Sequence, residues 1–156
     1  ANSFSKNFGL YRERAASLSL VFADSQQADA GFSQVLNVAR GIYSMPPAHG
    51  STIVDIILHS DELTGLWQTE LTQMRERIAG LRVQLVESLS SLQQARDFSF
   101  IAKERGMFSF LGLTVEQVRK LKSDYSIYMT DTSRISVAGL TKEKMNYVSK
   151  AIVAVL

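Results

Sequence analysis

Eight apolar side chains (Leu63, Trp67, Leu71, Met74, Ile78, Leu81, Leu85 and Leu89) recur at steps of four and three along one uninterrupted stretch of the chain. Those steps return to the same face of an α-helix, so the spacing predicts one long amphipathic helix rather than strands. Ser60 stands at its start, with Asp61 and Glu62 in the first turn, where acidic groups meet the positive end of the helix dipole. Such a helix runs for about thirty residues, or ~45 Å at 1.5 Å per residue. The opposite face carries Glu70, Arg75, Glu76, Arg77 and Arg82. The three arginines read there as ordinary polar-face residues or structural ion pairs.

The rest of the chain is organised around that helix. Residues 16–23 alternate and then run apolar, which predicts a largely buried strand. Asp24 and Ser25 offer an N-cap for a helix over 26–41, and Pro46-Pro47 stops it because neither residue can donate a backbone hydrogen bond. Residues 51–58 read as another buried helix, and His49 as a residue that fixes the preceding loop by hydrogen bonding. Downstream, Met107–Phe110 reads as a strand, and Thr114 with Gln117 as a capping box opening a helix to about Ser123. Ser126–Thr130 and Arg134–Ala138 read as short strands. Thr141 is placed to cap a last helix with Met145, Val148, Ile152 and Val155 on one side. A boundary is expected inside the long helix near 70–75, dividing residues 1–72 from a smaller α+β unit at 73–156.

Composition removes several function classes. The chain of 156 residues is 46% hydrophobic and 21% charged, enough to bury a core without staples. It has no cysteine, which excludes disulfides and thiolate metal sites. Its 17 basic and 15 acidic residues are interspersed, with no run of five or more Lys/Arg, so no nucleic-acid partner is expected. No apolar stretch of about 18 residues predicts a transmembrane helix. His49 and His59 have no ligand-like spacing, and no HExxH, P-loop, GxGxxG or Ser/His/Asp pattern occurs. The N-terminus lacks an initiator Met and a signal pattern, and reads as the interior of something longer.

The residues with chemical potential are one lysine and three arginines. Lys6 lies between Phe4 and Phe8, which predicts partial burial. A buried ammonium group loses hydration and so favours its neutral amine, the form that makes a Schiff base with a carbonyl. Arg14 precedes the expected strand, Arg40 ends a helix before Pro46-Pro47, and Arg134 begins a strand. A guanidinium near apolar structure needs an anion, and its planar fork matches a carboxylate or phosphate with two hydrogen bonds. On pattern alone Phe108 and Phe110 belong to the core.

Four linked segments resemble the aspartate/aromatic aminotransferases, the class I aminotransferases that depend on pyridoxal phosphate. They are Ser3-Phe4-Ser5-Lys6-Asn7-Phe8-Gly9-Leu10-Tyr11 with Glu13-Arg14; Tyr43-Ser44-Met45-Pro46-Pro47-Ala48-His49-Gly50; Gly106–Phe110 with Gly112-Leu113 and Glu116-Gln117; and Arg134–Leu140. The resemblance covers essentially the whole chain, in order. It implies an α/β fold, the C-terminal part of a fold-type I pyridoxal-phosphate-dependent transferase. Residues 1–72 would end the large cofactor-binding domain, within a mostly parallel sheet, and 73–156 would form the small α+β domain. The missing N-terminal half would supply the aspartate at the pyridine nitrogen and the ring stacked on the cofactor, so the chain alone would be inactive or nearly so.

The resemblance also implies roles. Lys6 would hold pyridoxal 5'-phosphate covalently and act as the base. Arg14 and Ser3 would bind the phosphate, with Ser5 beside them. Arg134 would bind the α-carboxylate of the amino acid, and Arg40 would reach the distal carboxylate across a homodimer interface. Ser44 and Phe108 would line the site. Amino acids and oxo acids would be the substrates, and the cytoplasm the default location. The chain departs from the family pattern at Met45, where Asn is usual, and at Ser133, where Gly is usual. A non-catalytic helical interaction module would account for residues 60–92 but leaves Lys6, Arg14, Arg40 and Arg134 unexplained. A β-elimination reaction would leave Arg40 without a role.

Overall fold

The computed structural model describes residues 1–93 and 95–156. The chain divides into two compact units, Ala1–Leu71 and Thr72–Leu156.

The first unit opens with a loop closed at its base. Strand β1 (Asn2–Ser3) pairs antiparallel with β2 (Ala16–Ser17), with Ser3 opposite Ala16. The Phe4 N–H donates to the Ala15 carbonyl at 3.1 Å and extends the pairing. The buried strand expected over 16–23 does not form. Pairing stops at Ser17, and Leu18, Leu20, Val21 and Phe22 are exposed, Val21 at 96%. A strand requires a neighbour's N–H and C=O groups, and among the described residues only Asn2 and Ser3 offer them here. The parallel neighbours implied for this segment are likewise not among the described residues.

Helix α1 (Ser25–Tyr43) starts where its cap dictates, the Asp24 carboxylate accepting from the Gln27 N–H at 2.8 Å. It ends at Ser44, whose backbone is left-handed at φ +62°, just before Pro46-Pro47. Helix α2 (His49–Leu58) follows, but the burial expected for it is confined to Gly50 and Val54. Its other apolar side chains include Ile56 and Leu58, which find no packing partner in this unit and stay exposed.

Helix α3 (Asp61–Leu92) is one continuous element of 32 residues that belongs to both units. Its apolar seam changes character along its length: Leu63 and Met74 are exposed, whereas Leu81, Leu85 and Leu89 are buried. The latter three open the core of the second unit, joined by Phe98, Ile101, Leu111, Val118, Leu121, Val137 and Ile152.

Around that core lie α4 (Phe100–Lys103), β3 (Phe108–Phe110), α5 (Val115–Tyr125), β4 (Arg134–Ser136), a 3-10 turn (Val137–Gly139) and α6 (Met145–Ala154). The capping box of α5 is complete: the Thr114 hydroxyl accepts from the Gln117 N–H, and the Gln117 side chain accepts from the Thr114 N–H. The strand expected over Ser126–Thr130 is absent. Ser126 turns left-handed at φ +52°, and the Ile127 N–H goes back to the Leu121 carbonyl at 3.0 Å to finish the helix, not to a strand. The strand from Arg134 is shorter than expected, because Val137 begins the 3-10 turn. Thr141 accepts from the Lys144 N–H at 3.4 Å within a preceding turn, so α6 starts only at Met145.

Arg82 corrects the reading of the polar face of the long helix. It is 2% exposed. Its Nη1 donates to the Ile101 carbonyl at 3.0 Å and to Glu104 Oε2 at 3.2 Å. Its Nη2 donates to the carbonyls of Gly106 at 3.0 Å and Phe108 at 2.7 Å. The Ser109 hydroxyl donates to the same Glu104 oxygen. A buried charge is tolerable when hydrogen-bonded and paired in this way. Arg77 stays exposed but donates to the Ala138 and Leu140 carbonyls at 3.1 and 3.0 Å.

Candidate active site

The loop between β1 and β2 carries Lys6 and Arg14. Asn2–Ser3 and Ala16–Ser17 clasp its two ends, which brings Ser3 and Arg14 to the same base although eleven positions separate them. The Ser3 hydroxyl donates to Ser5 Oγ at 3.0 Å and accepts from the Ser5 N–H at 3.2 Å, so the two hydroxyls stand together. Phe8 and Leu10 N–H groups both turn back to the Phe4 carbonyl, at 3.3 and 3.4 Å, which coils the lysine segment into a tight turn.

The partial burial expected for Lys6 is not found: its side chain is exposed. The flanking rings pack away from it. Phe4 and Phe8 meet edge to face at 5.4 Å, and Phe8 stacks on Trp67 at 4.5 Å. Trp67 Nε1 donates to the Asn7 carbonyl at 2.7 Å and clamps the turn. The Lys6 amine instead lies 4.0 Å over the centre of the Tyr11 ring. Arg14 has a left-handed backbone at φ +54°, and its Nη1 donates to the Tyr11 carbonyl at 2.9 Å.

Arg40 and Ser44 stand together at the end of α1, where the Ser44 N–H donates to the Arg40 carbonyl at 3.0 Å; both are exposed. Nearby in sequence, the His49 ring does not fix the loop as expected. It is exposed and makes no hydrogen bond among the described residues. Gly50 performs the packing instead. A Cβ there would lie 2.6 Å from Glu13 Cβ and 3.2 Å from Ala15 Cβ, so the absent side chain lets α2 approach the residues on either side of Arg14.

The second unit presents Phe108 and Arg134 on one two-stranded sheet, whose strands are separated along the chain by α5. Strand β3 pairs antiparallel with β4, Phe110 opposite Arg134 and Phe108 opposite Ser136. Both strands alternate exposed, buried, exposed. The buried positions are Ser109 and Ile135, so Phe108 and Phe110 face outward and are not core residues. The register explains this: the pair Ser109–Ile135 faces inward, and the Ser109 hydroxyl is needed there by Glu104. Arg134, diagonal to Phe108, holds its guanidinium carbon 4.8 Å from that ring's centre. Tyr128, Met129, Thr130 and Ser136 complete an open cleft of about 320 Å³ beside them. Ser133, before Arg134, is buried with φ +66°.

The class I and II aminotransferase family model matches residues 1–152. The chain belongs to that family. It is 49% identical over all 156 residues to an aspartate aminotransferase of Escherichia coli, and spans 39% of that relative. It is 41% identical over 99% of its length to an aromatic-amino-acid aminotransferase of Pseudomonas aeruginosa, again spanning 39% of it. Among solved structures it superposes on an aromatic-amino-acid aminotransferase of Burkholderia pseudomallei covalently bound to pyridoxal phosphate. That match has a TM-score of 0.92 and 46% identity, and it covers 98% of this chain and 38% of that one. The fold is thus the corresponding part of a fold-type I transferase, and the chain spans about two fifths of the aminotransferases it matches. Nothing in this aminotransferase chain favours the helical interaction module.

The structure therefore brings Ser3, Ser5, Lys6 and Arg14 onto one loop, Arg40 and Ser44 onto one helix end, and Phe108 and Arg134 onto one two-stranded sheet. Sequence reasoning missed Gly50, Ser133, Arg82 and Trp67 as the residues that hold those groups. Gly50 stood in one of the family-like segments, Trp67 in the apolar seam and Ser133 as a serine where the aminotransferase pattern has glycine, but none of these signals named the group it holds.

Proposed function

We propose that this chain carries the lysine and the carboxylate-binding arginines of an aminotransferase that uses pyridoxal phosphate. The reaction moves an amino group between aspartate, or an aromatic amino acid, and 2-oxoglutarate, in a cytoplasmic homodimer. The observation that carries this reading is the clasped loop. It gathers two hydroxyls, a guanidinium and a lysine amine within one short turn. That donor set fits a phosphorylated aldehyde: Ser3, Ser5 and Arg14 suit the phosphate, and Lys6 suits the carbonyl carbon. The covalent adduct named for the Burkholderia pseudomallei relative supports the same assignment.

Pyridoxal phosphate, when bound, supplies the electron sink that acidifies the substrate α-carbon. The residues of this chain supply position and proton traffic. Arg134 binds the α-carboxylate, with Phe108 limiting where its guanidinium can swing. Arg40, from the other subunit, binds the distal carboxylate of aspartate, and Ser44 lines that approach. Held at both carboxylates, the substrate presents its α-C–H in one orientation. The Lys6 amine takes the α-proton and gives it up again within the same half-reaction, so that it ends each half-reaction as the free base.

The test is reduction with borohydride in the presence of pyridoxal phosphate, followed by peptide mapping of the protein at its full natural length. The label should fall on Lys6; a label on another lysine, or none, overturns the reading. Arg40→Leu tests the substrate class. It should cost about 100-fold in kcat/KM for aspartate, since a site built for a charged group loses most when that partner is removed, and under about threefold for phenylalanine. Equal losses would remove the role given to Arg40.

A further inference from the structure

Ser133 links the two strands that carry Phe108 and Arg134 from inside the protein. It is 1% exposed. Its N–H donates to the Thr130 carbonyl at 2.8 Å, and its carbonyl accepts from the Leu111 N–H at 3.0 Å. Its hydroxyl oxygen accepts from the Leu113 N–H at 2.9 Å. One residue thereby ties the segment leaving β3 to the residue entering β4. Among the described residues the backbone N–H of Arg134 donates to the Thr130 hydroxyl at 3.3 Å, and that hydroxyl reaches the Arg134 carbonyl at 3.3 Å; both are long bonds, so the shorter bonds of Ser133 next to it bear on its placement.

We propose that Ser133 is a positioning residue for substrate binding, its buried hydroxyl setting where the Arg134 guanidinium meets the carboxylate. This rests on the reading of Arg134 given above. A buried N–H without an acceptor draws in water or shifts the backbone. A shift at Leu113 passes to Leu111, which is bonded to Ser133, and so to Arg134. A bidentate fork loses affinity when displaced by a fraction of an ångström. Glycine at 133 would accept φ +66° without strain but would leave the Leu113 N–H unpaired. Alanine would keep the strained φ and leave it unpaired as well.

Steady-state kinetics on the full-length holoenzyme separate these effects. Ser133→Gly and Ser133→Ala should both raise KM for the amino acid about five- to tenfold, with kcat changed less than about twofold. Amide exchange of Leu113 in Ser133→Gly, read by mass spectrometry, should be at least about tenfold faster. Ser133→Gly relaxes the backbone and therefore reports even if Ser133→Ala folds poorly. An unchanged KM in Ser133→Gly, an equal fall in kcat, or an unchanged Leu113 exchange rate each overturns the proposal. Arg134→Leu is the control. If it leaves KM unaltered, the reading of Arg134 itself fails and takes this inference with it; if only it raises KM, the inference alone fails.

Discussion

Arg134 sits over the ring of Phe108, its guanidinium carbon 4.8 Å from the ring centre, on the face of the β3–β4 sheet turned away from the core. Neither group is there for packing: Phe108 is 39% exposed, while Ser109 between the two phenylalanines takes the inward position. A half-exposed cation–π pair contributes about 0.5–1 kcal/mol. Phe108→Leu should therefore raise KM for the amino acid about threefold, with Tm little changed. A large fall in Tm would mean that the ring is a core residue after all.

Arg82→Met should strongly destabilise the second unit. It removes the cation of Glu104 and the guanidinium donors that reach the carbonyls of Ile101, Gly106 and Phe108. Breaking a buried ion pair costs roughly 3–5 kcal/mol. The Glu104 side chain keeps 34% of its exposure and can be rehydrated, so the lower end, about 3 kcal/mol, is expected from urea denaturation. Adding Glu104→Leu should return part of that loss. If the double variant is as unstable as the sum of the two singles, the groups are not coupled.

Gly50→Ala and Gly41→Ala form a matched pair. The methyl at position 50 would press on Glu13 and Ala15, whose Cβ atoms cannot swing away, whereas nothing lies within 4 Å of one at 41. Overpacking costs typically 1–3 kcal/mol, and alanine for glycine in a helix interior gains up to about 1 kcal/mol. Titration with pyridoxal phosphate should show weaker binding for Gly50→Ala and none of this loss for Gly41→Ala. Equal affinities would mean that Arg14 does not depend on the approach of α2.

The acid limb of stability should bend at three surface carboxylates. Glu116 is held below the ordinary glutamate range, first by its own backbone N–H at the start of α5 and then by the Thr114 hydroxyl. Asp97 is lowered by the backbone N–H and then the hydroxyl of Ser99, and Glu143 by its own N–H and then Thr141. A depressed folded value stabilises the protein above the unfolded value, about 4.3 for glutamate, and that contribution is lost as pH falls through the folded value. Urea midpoints measured from pH 6 down to about 3 should therefore fall less steeply for Glu116→Gln than for the parent. Parallel curves would remove Glu116 from the account.

Local signals were legible and long-range ones were not. Asp24 and the Thr114–Gln117 box each mark a helix start through bonds that span only three residues, and both are found. The seam from Leu63 to Leu89 locates α3 because its period is a property of the helix itself. Residues 16–23 have the composition of a buried strand, but pairing depends on what lies alongside, which composition does not encode. Arg82 shares the polar side of α3 with Arg75, yet carbonyls arriving from residues 101–108 draw it inside. At the candidate site the motifs name residues, while the fold supplies posture: the outward Phe108, the exposed Lys6, the left-handed Ser133.

Four described residues other than glycine carry a positive φ: Arg14, Ser44, Ser126 and Ser133. Each forgoes about 1–2 kcal/mol relative to a relaxed backbone. Ser126 only terminates a helix, but the other three are, or adjoin, the groups assigned to cofactor and substrate. A search for heat-tolerant variants would thus find one costless glycine, at 126, and two, at 14 and 44, that trade ruggedness against turnover; at 133 the relaxed backbone is offset by the unpaired Leu113 N–H. The molecule's thermal ceiling and its chemistry are set in part by the same few backbone angles.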